Sequence, residues 1–164
     1  MSKKILRFAQ NDNVILRNEV TKDLKPIKIM RNKNKEKKPT ARMLLGRRGE
    51  DVACVYLEGM GHQIIERNHR SGHLEIDIIS LDGNGVHFVE VKSRVAPVAA
   101  APEENVTSLK QKKIANAALK YLHGSKDPLI AGGAEVNFDI IAVTFDGGET
   151  KVEWFPNAFF PMYL

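Results

Sequence analysis

The sequence has 164 residues, enough for one ordinary domain with its own core and an appendage. Its formal charge of +5 is unevenly divided. Residues 1–42 carry 13 of the 25 Lys and Arg but 4 of the 20 Asp and Glu, whereas residues 43–164 have a net charge of −4. The single cysteine, Cys54, excludes an intramolecular disulfide framework, and no apolar run approaches the roughly 18 residues that a membrane span needs. We therefore expect a cytoplasmic protein that is not attached to a membrane.

Residues 1–42 are predicted to form a basic, disordered tail. Seven Lys and Arg fall in the last 15 residues of this segment, which shows no apolar face that could pack on a domain. Two alternatives stay open. Either the start codon has been assigned too early, with Met30 or Met43 as the true first residue, or the tail is a basic arm that contacts phosphates without reading sequence. Residues 43–164 are the predicted folded domain.

The first predicted element of this domain is an amphipathic helix. From Met43 onward the apolar residues recur at helical spacing, and Gly59 and Gly61 end the pattern. Cys54 lies within the apolar run, so we interpret it as a small core residue and not as a reactive thiol. The residues predicted to face the core are Leu45, Val52, Ala53, Tyr56 and Leu57.

Three strands, a second helix and two further strands follow in the prediction. The sequence Asp-Gly-Asn-Gly at residues 82–85 is typical of a hairpin turn between the second and third strands. The second helix begins with a capping box of Ser108 and Gln111 and ends near Leu122, and a loop over residues 123–134 follows it. The predicted strands are residues 62–70, 73–81, 86–94, 135–143 and 150–155, and the predicted core face of the second helix is Ile114, Ala117, Ala118 and Tyr121. This order predicts an α/β fold in which helices flank a small mixed sheet.

Charged residues interrupt the otherwise apolar hairpin EIDIISLDGNGVHFVEVKSR, residues 75–94. Strand side chains alternate between the two faces of a sheet. The residues predicted to share the charged face are Glu75, Asp77, Ile79, Phe88, Glu90 and Lys92, with Ile76 and Ile78 on the other. If the loop is Gly83-Asn84, the cross-strand partners are Ile79 and Phe88, Asp77 and Glu90, and Glu75 and Lys92. A loop at Asn84-Gly85 shifts the pairing but keeps these residues on one face.

Two carboxylates at opposed strand positions need compensation. Their Cβ atoms lie roughly 4.5–5.5 Å apart, and like charges there destabilise a sheet unless water screens them. Ile79 and Phe88 share this face, and Glu50 of the first helix lies in an inward-facing row, so we expect the face to be partly covered. Acids on a half-buried surface need a cation or raised pKa values.

The donor types indicate which cation would suit. Oxygen donors without a cysteine, and without a histidine pair at zinc spacing, favour Mg²⁺ or Mn²⁺. Lys92 follows Glu90 by two residues and can orient an attacking water and offset charge on a phosphate. The pattern suits metal-assisted phosphodiester hydrolysis, although from spacing alone a structural salt-bridge cluster is an equal alternative. We interpret the five histidines as surface or strand residues: His62, His69, His73, His87 and His123.

Three blocks, GRRGEDVACVYLEGMGHQIIERNHR, LEIDIISLDGNGVHFVEVKSR and VTSLKQKKIANAALKYL, resemble in that order the YraN family of small bacterial proteins. That family is similar to the PD-(D/E)XK nucleases, in particular to archaeal Holliday-junction resolvases. The resemblance implies a restriction-endonuclease-like fold and a Mg²⁺- or Mn²⁺-dependent endonuclease that acts on nucleic acid, in the first instance DNA, with branched DNA as one possible substrate. Because junction resolvases work as dimers, it also implies a possible homodimer. A nucleic-acid-binding module of the same fold without catalysis is the alternative, and a protein-interaction factor with structural acids is a third.

The resemblance also implies a role for individual residues. The implied metal ligands are Asp77, Glu90 and the backbone carbonyl of Val91. The implied acid of the first helix is Glu50, and the implied catalytic lysine is Lys92. Lys110 and Gln111 of the second helix correspond to supporting positions, and Glu75 lies in the family's Glu-Ile-Asp run without an implied role. One departure is that the proline before the superfamily's Asp is Ile76 here, and another is that Leu74 stands where the family commonly has glycine. Neither departure removes a metal ligand.

Overall fold

The computed structural model describes residues 14–16, 38–83, 85–97 and 107–160. Most of the predicted tail, residues 1–13 and 17–37, lies outside the described residues, as do residues 98–106 of the loop before the second helix. The elements are β1 (Val14–Leu16), α1 (Ala41–Gly59), β2 (Gln63–Ser71), β3 (Leu74–Leu81), β4 (Gly85–Val95), α2 (Ser108–Gly124), α3 (Pro128–Ala131), β5 (Glu135–Asp146) and β6 (Glu149–Phe155). Among these described residues, no helix is long and apolar enough to cross a bilayer.

The strands of the described residues form one mixed sheet in the order β1-β6-β5-β4-β3-β2. Only β4 and β5 pair in parallel, and the other neighbours are antiparallel. A parallel pair needs a crossover, which the chain makes through α2 and α3. Where the pairing of β4 with β5 starts, the two strands approach so closely that a Cβ atom at Gly85 would overlap the carbonyl group of Glu135. The predicted α/β fold with a mixed sheet is confirmed.

The two long helices cover opposite faces of the sheet and create two cores. Helix α1 packs its buried face on one side, where Ile78 and Val89 contribute to the core. Helix α2 packs on the other side, where Ile79 and Phe88 contribute. Both helix faces are as predicted, since Val52, Ala53, Tyr56, Leu57, Ile114, Ala117 and Ala118 are buried and Leu45 and Tyr121 are half-buried. Cys54 is buried as predicted, and burial raises the pKa of its thiol to about 11.

The predicted helix boundaries need three corrections. Helix α1 begins at Ala41, two residues before Met43, because the Thr40 hydroxyl accepts a hydrogen bond from the Met43 amide (3.3 Å) and caps the first turn. Helix α2 is capped by Thr107 and not by Ser108, since the Thr107 hydroxyl accepts from the Lys110 amide (3.3 Å). The predicted loop over residues 123–134 is also partly wrong, because α2 extends to Gly124 and α3 lies within the segment.

Helix α3 forms for a local reason. The Asp127 carboxylate accepts a hydrogen bond from the Leu129 amide (2.9 Å), and Pro128 occupies the first turn, where its missing N–H costs nothing. The signal is present in the sequence as Asp127-Pro128, which lies in the segment predicted as a loop.

The hairpin pairs in one of the two predicted registers and then departs from it. Ile79 lies opposite Phe88, as a Gly83-Asn84 loop predicts, but the ladder between β3 and β4 runs only from Leu81 to Ile78. The predicted pair of Asp77 with Glu90 is not part of it. The prediction that Ile76 and Ile78 share a face is wrong, because Ile76 packs in the core under α2 and Ile78 in the core under α1. The alternation of side chains is interrupted at Asp77.

Candidate active site

Glu90 is the centre of the candidate site. It lies on β4, on the face that α2 covers, and is 4% exposed. Its Oε1 atom is 2.8 Å from the Lys92 ammonium, and its Oε2 atom is 3.0 Å from the Lys110 ammonium. The Lys110 contact has the distance of an ion pair but not the alignment of a hydrogen bond, so Oε2 makes no hydrogen bond within the described residues. A carboxylate at this depth is tolerated because two cations flank it.

Asp77 lies where the β3–β4 ladder ends. Its Oδ2 atom accepts a hydrogen bond from the Val91 amide (2.8 Å), so a side chain joins β3 to β4 beyond the end of the ladder. Burial, followed by the negative charge of Glu90, raises the pKa of Asp77 to about 7. The Val91 amide and the Lys110 ammonium oppose that rise without cancelling it. The structure therefore brings Asp77 and Glu90 close enough for their negative charges to repel each other.

Glu50 approaches the same place from α1. Its side chain is 15% exposed and accepts a hydrogen bond from Nδ2 of the Asn68 side chain (3.0 Å). The negative charge of Glu50 also contributes to the raised pKa of Asp77. Arg67 lies 3.9 Å from Glu50 but 2.6 Å from Asp51, so Asp51 is its closer partner.

Asn68 is a site residue that the sequence did not reveal. It has a positive φ of 53° in the middle of β2, a backbone state that asparagine adopts more readily than most residues. Its neighbours Arg67 and His69 pair with Ile78 and Ile76, so Asn68 faces the interrupted position at Asp77. A polar residue with αL propensity within a predicted strand was the available signal.

The other predicted site residues lie at the margin. Glu75 is paired with Arg70 (3.1 Å) and is half-exposed, and its negative charge contributes to the raised pKa of Lys110. Gln111 is half-buried beside Lys110 on α2. Val91 contributes its amide to Asp77, and the predicted role of its carbonyl as a metal ligand stays a prediction.

The donor set suits a hard divalent cation. Asp77 and Glu90 offer carboxylate oxygens, and the buried Oε2 atom of Glu90 makes no hydrogen bond to any residue described here. Oxygen donors of this kind are what Mg²⁺ prefers. The three acids do not form a compact ligand set, however. In the described part of the chain, the carboxylate oxygens of Glu50, Asp77 and Glu90 do not all lie within 4.8 Å of one another. Any ion would therefore be held chiefly by Asp77 and Glu90.

A mixed sheet covered by helices on both faces, with an Asp and a Glu-x-Lys on adjacent strands, is consistent with a restriction-endonuclease-like fold. The chain belongs to the uncharacterised protein family UPF0102, whose family model matches residues 49–143. This confirms the resemblance to the YraN family. The matched region contains every predicted site residue from Glu50 to Gln111.

Three relatives illustrate the similarity. A UPF0102 protein of Anaeromyxobacter dehalogenans (strain 2CP-C) is 42% identical over 120 residues, which cover 72% of this chain and 85% of the relative. A UPF0102 protein of Geobacter metallireducens is 42% identical over 115 residues, or 70% of this chain and 91% of the relative. A UPF0102 protein of Chlorobium chlorochromatii is 44% identical over 105 residues, or 64% and 78%. Membership of this family assigns no reaction, so the activity has to be argued from the site.

Proposed function

We propose that this chain is a Mg²⁺-dependent endonuclease that hydrolyses phosphodiester bonds in nucleic acid. The observation that carries the proposal is the buried Glu90 carboxylate, held between Lys92 and Lys110 beside an Asp77 that burial and Glu90 together make hard to ionise. A cluster of this kind costs folding free energy, so a chemical use is the simplest reason for it.

Asp77 and Glu90, with the Val91 carbonyl, are the residues that would hold the metal. The chemistry that such an ion supplies when bound is Lewis-acid polarisation of a phosphoryl oxygen. Manganese shares the preference for oxygen donors and is the natural substitute. Both carboxylates must be ionised to act as ligands, so protonation of Asp77 opposes binding of the metal.

The lysines and Glu50 have separate tasks in the proposed reaction. Lys92 keeps part of its side chain in solvent while its ammonium contacts Glu90, so it can orient the water that attacks phosphorus and offset charge that develops on the phosphate. As the bond from the water oxygen to phosphorus forms, the bond from phosphorus to the leaving oxygen breaks. The water loses a proton to solvent and the leaving oxygen takes one from solvent, so the products are a phosphate monoester and a hydroxyl group. Lys110 holds the second oxygen of Glu90 from α2. Glu50, oriented by Asn68, supports the site from the other helix.

The test is a cleavage panel with the full chain. Single-stranded, duplex and four-way-junction DNA and one RNA are offered in Mg²⁺, in Mn²⁺ and in EDTA. We expect metal-dependent cutting that falls by about 10²-fold or more in Lys92→Ala, the loss typical of removing one group that stabilises developing charge. Lys113→Ala, which removes an exposed lysine of α2, is the matched control and should cut like the parent. Preference for the junction would support the narrower proposal that branched DNA is the substrate.

Cutting that survives Lys92→Ala would contradict the assignment of the site. Binding without cutting by the parent, with Mn²⁺ raising its melting temperature but not that of Asp77→Asn, would favour the non-catalytic binding module. No cutting and no metal-dependent stabilisation would leave a structural charge cluster.

A further inference from the structure

A second cluster of polar residues lies on the opposite face of the sheet. His62 directly precedes β2, Asp82 follows β3, and His87 lies on β4. The two histidines are 6% and 5% exposed, and their ring centroids are 4.7 Å apart. His62, Asp82 and His87 each place a donor atom within 4.8 Å of the others. Because 25 positions separate the histidines, local spacing in the sequence did not reveal them.

Hydrogen bonds fix how the two imidazole rings are turned. The Nδ1 atom of His62 is 3.1 Å from the Ser80 hydroxyl, and the Nδ1 atom of His87 is 2.7 Å from the Asp139 carboxylate. These contacts leave the Nε2 atom of each ring for another partner. An imidazole that bonds a hydroxyl or carboxylate through one nitrogen and offers the other is the usual arrangement around protein-bound metals.

Asp139 is itself held firmly. It is fully buried, and its two oxygens accept hydrogen bonds from the Trp154 indole (3.2 Å) and the Asn157 amide (2.9 Å). Asp139 therefore orients His87 and has little freedom to do anything else. A fully buried carboxylate that three donors satisfy is rigid, and it therefore holds the His87 ring in one orientation.

The Nε2 atom of His87 has no hydrogen-bond partner among the described residues. It is 3.2 Å from Asp82 Oδ1, but the alignment is poor. Two ligands of a tetrahedral zinc ion lie about 3.3 Å apart when each is about 2.0–2.1 Å from the metal. The separation of Nε2 and Oδ1 thus matches that of two metal ligands.

We propose that His62, Asp82 and His87 bind one divalent transition-metal ion with the preferences of Zn²⁺. Two imidazoles and one carboxylate are ligands that zinc accepts, whereas Mg²⁺ avoids imidazole. The widest separation is at most 4.8 Å, so the donors would have to draw together by up to about 1.5 Å when a metal binds. Bound there, the metal would tie the end of α1 to the β3–β4 turn and to β4.

A proton is the competing explanation for this cluster. Although burial lowers the pKa of His87, the hydrogen bond with Asp139 and the negative charges of Asp139 and Asp82 raise it overall, so a protonated His87 between two carboxylates is self-consistent. The pKa of His62 is lowered, by burial and then by the charge of His87. A lowered pKa favours the neutral ring of His62 that a metal needs, while protonation of His87 competes with metal binding.

The chain provides its own reporter for a binding experiment. Trp154 is the only tryptophan in the sequence, and its ring centroid is 5.6 Å from that of His62. The full chain is titrated with Zn²⁺ by calorimetry and by tryptophan emission, and with Co²⁺ by visible absorption, in 10 mM Mg²⁺ to occupy oxygen-donor sites. We expect one Zn²⁺ per chain, a change in Trp154 emission, and Co²⁺ absorption bands of a four-coordinate site.

The variants decide between the metal and its alternatives. His62→Gln and His87→Gln should each weaken Zn²⁺ binding at least tenfold, and Asp139→Asn should weaken it by about 10- to 100-fold through loss of ring orientation. His73→Gln and His123→Gln remove exposed histidines and should bind like the parent. Asp77→Asn should also bind like the parent, which separates this site from the proposed nuclease site.

Absence of saturable Zn²⁺ binding by the parent would overturn the proposal in favour of the protonated cluster. So would equal losses in His73→Gln or His123→Gln, or unchanged affinity in His62→Gln. Circular dichroism of each variant reports folding. If His87→Gln does not fold, Asp82→Asn gives the same comparison, because it removes a ligand and leaves both rings in place.

Discussion

Asp77 is the residue at which burial and charge conflict most clearly. It accepts a hydrogen bond from the Val91 amide, which favours its ionised form, yet burial and Glu90 outweigh that bond. Since the pKa in the folded chain, about 7, exceeds the ordinary value of 3.8, ionisation of Asp77 opposes folding. The cost is absent below about pH 4, grows as the pH rises, and is fully present above about pH 7.

Asp77→Asn should therefore stabilise the protein at pH 8 in EDTA. The shift of pKa sets an upper limit on the order of 4 kcal/mol, and residual solvent access reduces the expected gain to roughly 1–3 kcal/mol. The gain should shrink as the pH is lowered from 7 to 4. Melting temperatures across this range measure it, and Asp146→Asn, which removes an exposed acid at the end of β5, is the control.

Two results would contradict this account of Asp77. One is a variant that is no more stable than the parent at pH 8, and the other is a gain that does not change with pH. The same samples in Mg²⁺ address the proposed function, because a bound cation should raise the melting temperature of the parent and narrow its gap to Asp77→Asn.

The sequence pattern predicted the positions of some polar residues and not of others. Glu90 and Lys92 lie on one face of β4 as the alternation of a regular strand predicts, and the structure brings them together. Asn68 and the His62–His87 pair escaped the sequence analysis because their partners come from other elements. Lys110 was found only through family resemblance, since a lysine on a helix has no local feature that directs it to a strand carboxylate.

At the scale of elements, the contact between α1 and β4 determines how Glu50 reaches the site. The helix approaches the strand closely because Gly49 has no side chain, and a Cβ atom there would overlap the side chain of Ser93. The glycine next to Glu50 thus sets the distance between the helix that carries the acid and the strand that carries Glu90.

Gly49→Ala should accordingly destabilise the fold, by about 1–3 kcal/mol as overpacked core positions do. Gly46→Ala is the matched control in the same helix, because none of the described residues lies within 4 Å of a Cβ atom at Gly46. There we expect a gain of about 0.5–1 kcal/mol from helix propensity alone. Urea unfolding of both variants measures the difference. Equal effects of the two substitutions would show that α1 does not depend on close contact with Ser93.

For the whole molecule, the parallel pairing of β4 with β5 joins the two halves of the sheet. The β2–β3–β4 part carries Asp77, Glu90 and Lys92, and the β5–β6 part carries Asp139 and Trp154. The pairing begins where Gly85 meets the Glu135 carbonyl without room for a side chain.

Gly85→Ala should therefore destabilise the fold by about 1–3 kcal/mol or more. The added Cβ atom would force the backbone of Glu135 to move, and not a flexible side chain. Gly83→Ala in the adjacent turn should change stability by less than about 0.5 kcal/mol, because no atom of the part of the chain that the structure describes lies within 4 Å of the added Cβ atom. Thermal unfolding compares the two. If Gly85→Ala melts with the parent, the close approach of β4 and β5 is not a constraint on the sheet.

By itself the sequence determined the order of the two long helices and of strands β2 to β6, the apolar faces of α1 and α2, and the hairpin of β3 and β4, because these depend on periodicity and turn chemistry within one segment. Through family resemblance it also identified most residues of the candidate site. Only the tertiary structure decided that the β3–β4 ladder ends before Asp77 and that Lys110 completes the cluster at Glu90. It also decided that His62 and His87 lie side by side on the other face of the sheet. These features arise where elements distant in the sequence pack together, and the free energy of such contacts is not encoded in any local pattern.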